Sequence, residues 1–183
     1  MRTIVCLLFI GFLLVACKNN SAKDLAKIEK QELAKGIRQD SVFMGIHLGM
    51  AQQDFYNYCW AMNKKGVFFE GYNKSVEYQI GKITSNFPVQ LNFFPQFKDG
   101  KIAEIPFLFT YKTLDPWNPN MQTDKLVAEV KTLMEKWYGK DFFIAILPTG
   151  EKVYAKVDGN RRVIIKVVKD FEVTVMVTDL SVI

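Results

Sequence analysis

The sequence predicts an α+β fold of two tandem helix-plus-four-antiparallel-strand units, with the helices packed on antiparallel sheet. Three observations carry this expectation. Apolar residues recur at helical spacing in two places, first Phe55, Tyr58, Cys59 and Met62, then Leu126, Val130, Leu133, Met134 and Trp137. Each stripe ends at a glycine, Gly66 or Gly139, and four strand-like segments follow each. The two glycines lie 73 positions apart, and the pairs Phe68-Phe69 and Phe142-Phe143 lie 74 apart, the kind of offset that an internal duplication leaves. Two helices laid on sheet would each bury one stripe.

The chain begins with a positive residue, Arg2, and a nearly unbroken apolar run from Ile4 to Leu14. Small Ala16 then precedes Cys17, and the sequence turns polar at once with Lys18, Asn19 and Asn20. This layout is a secretory signal over residues 1–16, too short for a comfortable membrane span. Leu14-Val15-Ala16-Cys17 resembles the lipobox of bacterial lipoproteins. The resemblance implies cleavage before Cys17, diacylglycerol on its thiol and acylation of its new amine, so that Cys17 anchors the chain in a lipid bilayer. Lys18 after the cysteine, rather than Asp, favours the outer over the inner membrane by analogy with lipoprotein sorting.

Removing the first 16 of 183 residues leaves 167, enough for one domain or two small fused modules. Loss of Arg2 lowers the formal charge from +5 to +4, and the remaining bases are scattered among acids. No basic stripe interleaved with aromatics is present, which argues against nucleic acid as a partner. The mature chain keeps only Cys17 and Cys59; with Cys17 acylated, no intramolecular disulfide is available. Cys59 falls on the first apolar stripe and reads as a small buried hydrophobe.

Residues 17–41 read either as a lysine- and glutamate-rich spacer helix or as a mobile tether. The globular part is expected over 42–183, with one unit at about 45–113 and the second at about 117–183. Gln53 and Asp54 open the first helix, and Gly66 stops it after Lys64 and Lys65. Strand-like segments follow at 67–72, 76–84, 89–97 and 101–111, with Asp99-Gly100 as a hairpin turn. Pro106 inside the last of these argues for an edge strand or a bulge. Asn118 and Pro119 read as the cap and first residue of the second helix. Strands at 142–147, 152–157, 162–168 and 171–178 complete the chain, with turns at Gly150, Asp158-Gly159-Asn160 and Lys169-Asp170.

Catalytic chemistry finds no constellation. His47 is the only histidine, so multi-histidine metal cages are excluded, and a satisfied turn residue is its reading. No glycine-flanked serine elbow, phosphate-cradling loop or calcium-loop spacing is present. Glu70, Glu77, Glu104, Asp115 and Asp158 are dispersed, and nothing nominates a glycosidase pair. The expectation is a protein that is not an enzyme and carries no cofactor and no metal.

Gly45-Ile46-His47-Leu48-Gly49-Met50, just before the first helix, resembles the apolar-x-Leu-Gly-Met entry motif of small exported lipoproteins. The families concerned are the BamE/SmpA-like outer-membrane lipoproteins and the β-lactamase-inhibitor-protein-like fold, the latter built of tandem helix-plus-four-strand units. Ala51 stands where Ser or Thr would cap the helix, which leaves its first amides needing other partners. Gly49 reads as a turn with a positive backbone angle. The first resemblance implies an assembly accessory and the second implies protein docking.

Aromatics crowd the end of the first unit: Phe93, Phe94, Phe97, Phe107, Phe109, Tyr111 and Trp117. Most are expected to fill the core, with Phe93 and Phe94 pointing to opposite faces. Aromatics left outside would mark a contact surface. Trp117, in its proline-rich loop, leads the candidate partner contacts, followed by Phe107, Phe109 and Tyr111 on one strand face. The functional expectation is an anchored, non-catalytic module that binds another envelope protein. The alternative is a lipoprotein that binds or processes a small molecule or glycan in an aromatic-lined cleft.

Overall fold

The computed structural model describes residues 23–183; the apolar leader, the lipobox and Cys17 lie outside them. The chain runs α1 (Leu25–Leu33), β1 (Ser41–Phe43), β2 (Ile46–His47), α2 (Gln52–Lys64), β3 (Phe69–Glu70), β4 (Val76–Lys82), β5 (Pro88–Phe93), β6 (Gln96–Lys98), β7 (Lys101–Tyr111), α3 (Thr123–Tyr138), β8 (Phe143–Ile146), β9 (Lys152–Asp158), β10 (Arg161–Lys169) and β11 (Glu172–Asp179). Nine of the strands make one antiparallel sheet in the order β3-β4-β5-β7-β11-β10-β9-β8, with β6 pairing β7 beyond the end of β5.

The class is α+β, but the expectation of two tandem helix-plus-four-strand units is wrong: three helices accompany one nine-stranded sheet. β7 pairs with β11 from Val173↔Phe109 through Thr178↔Glu104, so the sheet is continuous. α3 packs across β7, β10 and β11 together, not on the second half alone. One core results, in which Phe55, Phe93, Phe107, Val130, Val163 and Val175 join in a single cluster. The helices are also unequal: α3 buries six residues, whereas α2 fully buries Phe55 alone. Evenly spaced turns and stripes report local periodicity; they do not say which strands pair at long range.

A third helix occupies the opposite face. Val163 and Ile165 point into the main core, so Ile164 between them points away. There it meets Ala145, Val153 and Ala155, with Leu25 of α1 packed over them. Asp24 caps α1 by accepting a hydrogen bond from the Lys27 amide at 3.1 Å. The Lys23 amide donates to the Ile144 carbonyl at 2.9 Å, and Arg162 pairs with Glu29 at 2.9 Å. The chain is therefore docked on the sheet from Lys23 onward. Gly159 sits beneath it with φ +56°, where a Cβ would lie 2.1 Å from the Ile37 carbonyl oxygen.

β1 and β2 form a small hairpin on the main face. Phe43 projects from it into an aromatic nest, with ring centroids 5.2 Å from Tyr78, 5.9 Å from Phe93, 6.0 Å from Phe107 and 4.8 Å from Trp137. Two further expectations need correction. Pro106 lies on β7, a central strand, opposite the Phe94-Pro95 interruption between β5 and β6, where the ladder is already broken. Asn118 caps a short 3₁₀ turn at Pro119–Met121, and the α-helix proper starts at Thr123.

Candidate functional site

α2 is built to show aromatics on its outer side. Phe55 turns inward, and Tyr58, Cys59 and Met62 lie half-buried against the core. The same 3.6-residue period sends Tyr56, Trp60 and Lys64 down the exposed face, in line with half-buried Gln52 at the start of the helix. Each end of this stripe is tied. Gln52 Nε2 donates to Tyr56 Oη at 2.9 Å, and Lys64 Nζ stands 4.0 Å above the Trp60 ring. Trp60 is 66% exposed and Tyr56 40%.

A neighbouring strand extends the patch. Phe93, the last residue of β5, is buried in the core, and Phe94 just beyond the strand is 40% exposed with its ring 6.0 Å from Phe55, on the α2 side rather than on the opposite face. Its ring lies 6.3 Å from Tyr56 and 6.3 Å from Phe97, while Phe97 is 6.2 Å from Tyr56. The helix is fixed at its start without a capping side chain: Ala51 provides none. Instead the Gln52 amide donates to the Gly100 carbonyl at 2.9 Å, and Gly49 and Ile102 exchange backbone bonds with Ile102 and Met50. Gly49 has φ +76°, which turns the chain into the helix.

Of the contact residues expected from sequence, only Trp117 is on the surface, 93% exposed in the loop between β7 and α3. Phe107, Phe109 and Tyr111 are corrected to core residues. They share one face of β7, as their spacing requires, but that is the face beneath α3, where the Tyr111 hydroxyl donates to Glu129 Oε1 at 3.0 Å. Trp117 does not belong to the α2 patch. It lies in the loop that follows Tyr111 at one end of β7, whereas Lys101 at the other end bridges Ala51 beside α2.

A cleft of about 540 Å³ opens between the β1–β2 turn, β4 and α3. Val42, Phe43, Tyr78, Ile80, Ile83, Leu133 and Trp137 line it with Ser41, Met44, Lys82, Thr132 and Lys136; no carboxylate, imidazole or thiol faces it.

Cys59, His47 and Glu129 lie away from this cleft. Burial pushes the Cys59 thiol up to about 12, which keeps it protonated and unreactive at neutral pH. His47 Nδ1 lies 3.0 Å from the Leu48 carbonyl. Glu129, buried on α3, accepts from the Thr84 and Ser85 amides at 3.3 Å each and pins that loop to the helix. Among the described residues no group of three or more His, Cys, Asp or Glu side chains is placed to hold a metal ion.

No protein-family model matches this chain, and no curated protein sequence or solved structure matches it significantly.

Proposed function

We propose that this chain is an envelope lipoprotein, anchored through Cys17, whose folded part is a non-catalytic docking module with the outer face of α2 as its contact surface. The observation that carries the reading is the exposure of Tyr56 and Trp60, one turn apart on α2, with Phe94 beside Tyr56. Tryptophan and tyrosine dominate the energetics of protein interfaces because they bury large areas at little entropic cost. Here they sit on a helix rather than a loop, held at both ends of the stripe by Gln52 and Lys64. The lipobox-like Leu14–Cys17 supports the anchor, and the residue after it supports delivery to the outer membrane. Among the described residues no helix is long and apolar enough to cross a membrane. The BamE/SmpA-like entry motif agrees with an assembly accessory.

The test is a crosslinking pull-down of the acylated protein from native membranes. Wild type is expected to recover one dominant envelope protein, and mislocalised Cys17→Ser to recover much less. Trp60→Ala is expected to lower recovery at least tenfold, equivalent to about 1.4 kcal/mol, while its stability stays within about 0.5 kcal/mol of wild type. Trp117→Ala is expected to weaken capture to a smaller degree, again with an unchanged melting temperature. Recovery of nothing above background, or equal recovery by Trp60→Ala, would remove the basis of the proposal.

A further inference from the structure

We infer that the cleft between the β1–β2 turn, β4 and α3 binds a single-chain anionic amphiphile, a long-chain carboxylate of the fatty-acid type. The argument begins with how its lining is sorted. The buried and half-buried members, Val42, Phe43, Tyr78, Ile80, Leu133 and Trp137, are apolar or aromatic and make the floor. The polar members, Ser41, Lys82, Thr132 and Lys136, are all exposed and make the rim. Apolar depth under a polar mouth matches a ligand with an apolar tail and a polar head. The volume, about 540 Å³, falls in the range of roughly 300–1,000 Å³ that holds small ligands.

Charge selects the head group. Lys82 and Lys136 approach the mouth from opposite walls, and neither forms an ion pair or a side-chain hydrogen bond with any described residue. The bases Lys35, Lys131, Lys156, Arg161 and Arg162 all have carboxylate partners. With no acid in the lining, the cleft offers two free positive charges and nothing to repel an anion. The rim offers a carboxylate the two lysines and the Ser41 and Thr132 hydroxyls as polar partners, and the floor offers its chain Phe43 and Trp137.

An extended peptide is the competing occupant, because β3 covers β4 only at Val76 and Glu77 and leaves the rest of that edge without a strand partner among the described residues. The edge is poorly suited to strand addition. Its register shifts between Gln79 and Gly81, and Lys82 follows directly; a bulge and a lysine are both devices that blunt sheet edges. The side chains of the cleft therefore favour the amphiphile over the backbone of β4 as the recognition element.

The experiment uses the full acylated chain in nanodiscs of phosphatidylcholine, with a diazirine-bearing palmitic acid as the photolabel and peptide mapping by mass spectrometry. Label is expected on residues 41–44, 78–83 and 132–137. The paired variant K82E/K136E, which alters only exposed side chains, is expected to raise the half-saturating probe concentration at least tenfold with an unchanged melting temperature. Partition of the probe into the disc is common to both proteins and cancels in the comparison. Excess palmitate should compete, whereas hexadecanol and hexadecyltrimethylammonium should compete poorly. Label outside the three segments, equal labelling of K82E/K136E, or equal competition by the neutral and cationic chains would overturn the inference. Protection by envelope-derived peptides but not by palmitate would give the cleft to a peptide and overturn it as well.

Discussion

Asp179→Ala is expected to lower the unfolding free energy by about 3 kcal/mol, the scale of removing one member of a buried, charge-assisted network. For a domain of this size that corresponds to a fall of about 6–12 °C in melting temperature. Asp179 ends β11 and is buried, yet it gathers four donors: the Ser181 hydroxyl at 2.6 Å, the Ser181 amide at 3.0 Å, Asn160 Nδ2 at 3.0 Å and Arg38 at 3.0 Å. Three chain segments meet there, because Asn160 also accepts from the Gln39 amide at 2.6 Å and receives the Leu180 amide on its carbonyl at 2.7 Å. Alanine would strand these donors and release the link between the N-terminal segment and the last strand. A variant of wild-type stability in thermal melts would show that water replaces the carboxylate without cost.

The same group sets a pH dependence. Burial by itself raises the Asp179 pKa, but the hydrogen bonds from Ser181, Asn160 and Arg38 outweigh it and hold the carboxyl below its ordinary value. The folded state thus takes up this proton less readily than the unfolded state. The stabilisation is complete above the unfolded value of about 3.9 and is lost as pH falls through the lower folded value. The stability gap between wild type and Asp179→Asn is therefore expected to stay constant from neutral pH to about 5 and to close below about 4. A gap that widens on acidification would reverse the sign of the argument.

What could be read from the chain was whatever depends on near neighbours. Apolar runs and turn residues place β4, β7, β9, β10 and β11 close to their observed bounds, because both are local signals. β1 and β2 carry no such signal. They span five residues between them, and their turn uses Met44 at φ 45° and Gly45 at φ 87°, the first of which no composition rule picks out. The joining of β7 to β11 is invisible locally, so the reading as two units had nothing to correct it. The candidate site failed for a related reason. Counting aromatics drew attention to β7, whose Phe107, Phe109 and Tyr111 share a face, but only the position of α3 decides that this face is covered. The α2 face was within reach. Once Phe55, Tyr58, Cys59 and Met62 are assigned to the inside, Tyr56 and Trp60 must lie outside, one turn apart.

Phe55→Ala is expected to cost about 3–5 kcal/mol, and to spend most of it on α2 rather than on the whole fold. Phe55 is the only fully buried side chain of that helix, where its ring meets Phe93, Phe94 and Phe97 at 6.5, 6.0 and 6.0 Å. A 13-residue helix has little stability of its own in water, so without this contact α2 has only half-buried residues to hold it to the sheet. Amide exchange over residues 52–64 should accelerate strongly while β9, β10 and β11, centred on the fully buried Val163, Val175 and Val177, keep their protection. Capture of the proposed envelope partner should disappear together with the helix. Trp60→Ala separates the two causes, since it removes an exposed ring and should lower capture at least tenfold with no change in α2 exchange. Uniform acceleration of every amide in Phe55→Ala would instead make α2 part of the global folding unit. Retained capture by a protein whose α2 has melted would move the docking surface off this helix.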